Sequence, residues 1–160
     1  MDDAIAPSRP LLAPPFGHGA DERSFVYFVW TWNWLQARGT PGLHNQITRW
    51  LDRAWARRER QLLLMVFRDA GKSTLVGLYC AWLLFTDPDL RILVVSAGHE
   101  LACKMTRNVR KILELHPFTA HLLPDADAEW AADRFTVRRR MVHRDPSLLA
   151  RGIGANVTGA

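Results

Sequence analysis

The segment Leu62 to Thr74, LLLMVFRDAGKST, constrains this chain more than any other. Leu62–Phe67 is six apolar residues, the length and composition of a buried parallel strand. A short loop follows, and Gly71-Lys72-Ser73-Thr74 opens the largely apolar stretch 75–85, LVGLYCAWLLF, which reads as a helix ending at Thr86-Asp87-Pro88. A second apolar run, Ile92–Val95, ends in Ser96-Ala97-Gly98. Strand, loop, helix and strand in this order make a βαβ unit of ordinary size. A strand feeding a loop that closes on Gly-Lys-Ser/Thr is a cradle for nucleotide phosphates. Backbone N–H groups and the helix N-terminus face the anion. Lys72 brings a positive charge for the β- and γ-phosphates, and the Ser73 hydroxyl is placed to ligate Mg²⁺. The match is imperfect, because Val66 stands where the usual pattern has its first glycine and Arg68 lies inside the loop. The bland alternative is a helix N-terminus carrying a chance Gly-Lys-Ser.

A chain of 160 residues suffices for one domain with its own core. The net charge of +5 suits a partner that carries phosphates, although surface arginine alone is weak support for one. Cys80 and Cys103 fall in expected helices without metal-ligand spacing, so they read as reduced, buried thiols. The start, MDDAIAPSRP, is not a signal peptide, and residues 75–85 are too few to span a bilayer. A cytoplasmic protein with no membrane partner is the expectation.

Residues 1–22 are proline-containing and read as a flexible tail. Residues 24–36 read as an aromatic-rich helix whose Trp30, Trp32 and Trp34 either stack on bases or, more in keeping with their density, pack on the core. Thr40 is the expected N-cap of the next helix, with Pro41 at its first position. In that helix, Ile47, Trp50, Leu51 and Ala54 form an apolar face, while Arg49, Arg53 and Arg57 recur every four residues on another. That arginine stripe either meets DNA phosphates or is a solvated face. Residues 99–116 repeat the pattern, with Met105, Val109, Ile112 and Leu113 inward and Lys104, Arg107, Arg110 and Lys111 outward. Pro124–Asp127 reads as a polar loop and Phe135–Val137 as a short strand before Arg138-Arg139-Arg140. The end, RGIGANVTGA, has no helical pattern.

FRDAGKST, with its loop arginine, resembles the phosphate loop of the ATPase motor of phage terminase large subunits, which pump viral DNA into capsids. SFVYFVW and TPGLHNQITRWL resemble the stretch before that loop in terminases of short-tailed phages. RILVVSAGHELACKM, RFTVRRR and RDPSLLARGIGANVTG follow in the family's order. The resemblance covers residues 24–160. It implies an α/β, P-loop NTPase fold of the RecA/ASCE kind: a parallel sheet flanked by helices, incomplete at the C-terminus. It divides the chain into a helical lead-in, 23–60, and a partial ATPase core, 61–160. It implies ATP and Mg²⁺ held by Arg68, Asp69, Ala70, Gly71, Lys72, Ser73 and Thr74, with Ser73 on the metal. Lys72 and Arg68 would also act on the transferred phosphate, and Gln46 would read adenine. The partners it implies are double-stranded DNA, the portal and the small terminase subunit, in the cytoplasm of a bacterial host. Arg138, Arg139, Arg140 and Arg151 are candidates for an arginine donated to a neighbouring motor subunit.

The family's acidic strand, which orders Mg²⁺ and the attacking water, has no match among these residues, and neither has its nuclease domain. The expectation is therefore nucleotide binding with little or no turnover. The alternatives are a fragment of another DNA-dependent P-loop ATPase, such as a helicase-like translocase, and a non-catalytic prophage remnant.

Overall fold

The computed structural model describes residue 21 and residues 23–125 and 129–154. The expected tail (apart from Asp21), part of the 124–127 loop and the final Thr-Gly segment lie outside the described residues. The described order is α1 (Phe25–Leu35), α2 (Gly42–Ala56), α3 (Lys72–Thr86), β1 (Ile92–Ser96), α4 (His99–Leu115), a 3₁₀ turn (Pro117–Leu122), β2 (Arg134–Phe135) and β3 (Leu148–Gly152). None of the described helices is long and apolar enough to cross a membrane.

Helix α1 starts at Ser24, whose Oγ accepts from the Tyr27 N–H at 3.2 Å. The Asp52 carboxylate of α2 accepts from the Phe25 N–H at 3.0 Å and ties the two helices together. Phe25, Phe28, Val29 and Trp32 are buried, so most of the aromatic stripe is core. Trp30 and Trp34 are half-buried and stacked on one another, centroids 6.5 Å apart.

Helix α2 begins one residue later than the sequence suggests. Pro41 is its N-cap and makes no side-chain cap bond. Thr40 is occupied elsewhere, its hydroxyl accepting from Asn33 Nδ2 at 2.9 Å and closing the α1–α2 turn. Ile47, Leu51 and Ala54 are buried as their spacing requires.

Helix α3 is apolar on most sides because α1, α2 and α4 all pack on it. Gly77 lets Asn108 of α4 lie directly against it. Burial pushes the Cys80 thiol up to about 11, so it stays protonated and inert.

The sheet is mixed, which corrects the expectation of a parallel one. Its order is β1-β3-β2, with β1 and β3 parallel and β2 antiparallel to β3. The central strand β3 has only three consecutive apolar residues, Leu148-Leu149-Ala150, before Arg151 and Gly152. That run is too short to stand out as a strand in sequence. The expected strand over Phe135–Val137 shortens to Arg134–Phe135, because the Val137 N–H turns to the Ser147 hydroxyl at 3.1 Å.

Leu62–Phe67 is not a strand of this sheet. Leu64 and Val66 pack on the core, whereas Leu63, Met65 and Phe67 are exposed. The alternation is that of a strand with one face covered, but no ladder bond joins it to a described strand. An apolar run reports burial tendency; a ladder also needs a neighbouring backbone edge.

Helix α4 covers one face of β1 and β3. Ile92 and Val94 pack beneath it, while Leu93 and Val95 are exposed on the other face. The chain enters α4 across Gly152, where a Cβ would fall 2.9 Å from the backbone nitrogen of His99. Backbone cannot swing aside as a side chain can, so Gly152→Ala is expected to destabilise the fold by about 1–3 kcal/mol. A thermal melt lowered by several degrees would show this, and an unchanged midpoint would contradict the close approach.

Candidate phosphate-binding site

The loop between Phe67 and α3 lines a cleft of about 430 Å³ with Phe67, Arg68, Asp69, Ala70, Gly71, Lys72, Ser73 and Thr74. Its backbone is bent by two residues in the left-handed region, Asp69 at φ 64° and Gly71 at φ 73°. Glycine adopts that region freely, and aspartate is one of the few other residues that tolerates it. Turns of this kind expose successive N–H groups on a concave side, which is how backbone binds anions.

Gly71 is the N-cap of α3, and the first hydrogen bond of the helix runs from the Leu75 N–H to the Gly71 carbonyl at 3.0 Å. The amides of Lys72, Ser73 and Thr74 therefore precede the intrahelical ladder. The helix behind them is 15 residues long and carries no acidic residue in its first turn, so its positive end is not neutralised from within.

Arg68, Lys72, Ser73 and Thr74 are exposed. Neither Arg68 nor Lys72 has a hydrogen-bond or ion-pair partner among the described residues. Two unpaired cations beside unsatisfied amides fit a phosphate group. For Mg²⁺ the fit is narrower, since Ser73 is the one hydroxyl at the second position of α3. Among the described residues, no group of three or more His, Cys, Asp and Glu side chains gathers to hold a metal. Mg²⁺ on Ser73 would take its remaining oxygens from phosphate and water.

Gln46 is exposed on α2. No described hydrogen bond joins it to the loop. The α2 residue that reaches the loop is His44, whose Nε2 lies 2.9 Å from the Ala70 carbonyl oxygen. Gln46 is two positions on, about 200° around the helix. No sequence spacing links position 44 to position 70, so this contact is visible only in three dimensions.

The other arginines divide by their partners. Arg49, Arg53 and Arg57 are exposed, as the stripe pattern requires. Arg110 is not a free outward cation: it donates to the carbonyls of Trp130 (2.8 Å) and Ala131 (3.1 Å) and lies over the Trp130 ring. Arg138 pairs with Asp125 at 2.7 Å, and Arg140 with Asp87 and Asp89 at 3.1 and 3.2 Å. Arg139 donates to the Ser147 hydroxyl and the Asp145 carbonyl. Of the three consecutive arginines, Arg140 thus ties the 138–147 segment to the turn before β1, Arg139 closes that segment on itself, and Arg138 reaches Asp125.

No protein-family model matches the chain. Over 101 residues it is 32% identical to the terminase large subunit of Enterobacteria phage T3, a match covering 63% of this chain and 17% of that relative. The chain thus spans less than a fifth of the relative's length. Sequence similarity of this extent supports a terminase-like relationship for the matched stretch, on an α/β fold whose small mixed sheet is flanked by helices.

Proposed function

We propose that this chain is the ATP-binding portion of a terminase-like DNA-packaging motor, built on a P-loop NTPase core of the RecA/ASCE kind. The helical lead-in is residues 23–60 and the core is residues 61–160. Loop residues Arg68 to Thr74 hold the nucleotide: backbone amides and the α3 N-terminus take the phosphates, Lys72 neutralises the β- and γ-oxygens, and Ser73 ligates Mg²⁺. Arg68 faces the terminal phosphate and stabilises charge there. The observation that carries this reading is the pair of unpartnered cations, Arg68 and Lys72, on a loop bent through left-handed Asp69 and Gly71 at a helix N-terminus. In a whole motor the partners are double-stranded DNA, the portal and the small terminase subunit, as the resemblance to terminase large subunits implies. Binding rather than turnover is the property proposed for these 160 residues, because no acidic cluster gathers beside the loop among the described residues.

The test is a fluorescence titration with a labelled ATP analogue and Mg²⁺. Saturable binding is expected, weakened at least tenfold in Lys72→Ala, since a charge-assisted contact is worth about 1.5–3 kcal/mol. Equal binding by both proteins, or none by either, would remove the proposal.

A further inference from the structure

We propose that His44 is a positioning residue of the phosphate loop, holding the Ala70–Gly71 peptide in its anion-binding orientation from outside the loop. The proposal rests on the nucleotide-binding reading above and adds to it a residue on a different element. His44 sits at the start of α2, half-buried, and its Nε2 is 2.9 Å from the Ala70 carbonyl. A carbonyl only accepts, so Nε2 carries the proton and donates. The C=O and N–H of a trans peptide point in opposite directions. Drawing the Ala70 carbonyl toward α2 therefore turns the Gly71 N–H away from α2.

A second observation comes from the glycine. A Cβ on Gly71 would stand 2.8 Å from His44 Nε2 and 3.0 Å from Cε1. The imidazole thus occupies the space a side chain at 71 would need, and it packs against the residue whose left-handed backbone shapes the loop. Position 71 is glycine for two reasons, its φ of 73° and the ring beside it. The loop has no other described hydrogen bond to the helical lead-in, so His44 is the described polar link between α2 and the loop. The same bond gives α2 a route by which its own movement would reorient the Gly71 amide.

The experiment compares wild type, His44→Ala and His44→Gln, all checked for wild-type circular dichroism and thermal midpoint. Glutamine keeps a donor N–H on a side chain of similar reach. Two quantities are read: hydrogen exchange of the 66–75 backbone in the ligand-free protein, and affinity for a fluorescent ATP analogue with Mg²⁺. His44→Ala is expected to speed exchange in the loop and weaken binding about three- to tenfold, the range of one hydrogen bond. His44→Gln is expected to recover most of both. Loop exchange and affinity unchanged in His44→Ala would overturn the proposal, and so would faster exchange with unchanged affinity. If wild type and Lys72→Ala both fail to bind nucleotide while His44→Ala still loosens the loop, the clamp stands and the nucleotide reading falls. If His44→Gln fails to recover what His44→Ala loses, the role of His44 is packing alone and the proposal is wrong.

Discussion

Acidification from pH 7.5 to pH 5 should lower the stability of this protein by roughly 2 kcal/mol, and His116 should account for it. The ring is buried, and burial pushes its pKa down to about 4, a shift that the Nε2–H bond to the Phe28 carbonyl (3.0 Å) offsets only in part. On its other side, Nδ1 accepts from the Phe118 N–H at 3.2 Å. Both nitrogens are thus committed in the neutral form, and a second proton on Nδ1 would face a donor. The ring also stacks on Phe28, centroids 3.7 Å apart, which leaves no room to turn away. In the unfolded chain the same histidine titrates near 6.5. Between 6.5 and 4 the unfolded state therefore binds the extra proton and the folded state does not. Stability is full above that window, falls through it, and levels off below.

Asp89 titrates in a different range. Its carboxyl is held below its usual value, first by the Met141 N–H and then by Arg140, so its contribution is lost only as the pH falls below the ordinary aspartate range. Urea unfolding at pH 7.5, 6 and 5 measures the His116 effect, and a flat profile would contradict it. His116→Ala should cost about 3 kcal/mol or more at pH 7.5. It leaves the Phe118 N–H without its acceptor, at about 1–3 kcal/mol, removes the second hydrogen bond of the Phe28 carbonyl, and opens a ring-sized cavity. The same variant should lose most of the pH dependence between 7.5 and 5.

Phe135→Ala should cost about 3–5 kcal/mol. Strand β2 contains only two residues, and Phe135 is its buried anchor, fully enclosed beside Trp130 at a centroid distance of 4.9 Å. Its ladder partner is Leu148 of the central strand. Truncation removes one of the largest fully buried side chains of the core, and too little ladder remains to hold the edge strand. The arginine contacts at 138–140 begin three residues later and should loosen with it. Chemical denaturation reads the loss directly. Hydrogen exchange should locate it in residues 129–140 first, and a loss under 1 kcal/mol would show that the neighbouring chain collapses to refill the site.

Much of this molecule was legible from local pattern. The spacing of Ile47, Leu51 and Ala54 marked the buried face of α2, and that of Val109, Ile112 and Leu113 the buried face of α4, because a helix repeats every 3.6 residues whatever lies around it. Gly71-Lys72-Ser73 marked the start of α3 and its loop for a similar reason: the left-handed turn, the charge and the hydroxyl are properties of adjacent residues.

The misreadings all involve partners outside the segment being read. Leu62–Phe67 has the composition of a strand, yet pairing is a property of two segments. Thr40 looked like a cap until Asn33 took its oxygen. Arg110 looked like a surface cation until two carbonyls and an indole ring enclosed it.

By itself, then, the sequence determined the helices, their buried faces and the position of the loop at residues 68–74, since each depends on contacts a few residues apart. Only the tertiary structure decided which strand is central, that His44 rather than Gln46 meets the loop before α3, and that His116 is buried with both nitrogens engaged. Those outcomes depend on groups 26 to 88 residues apart along the chain, brought within hydrogen-bonding distance by packing. No periodicity encodes a distance of that kind.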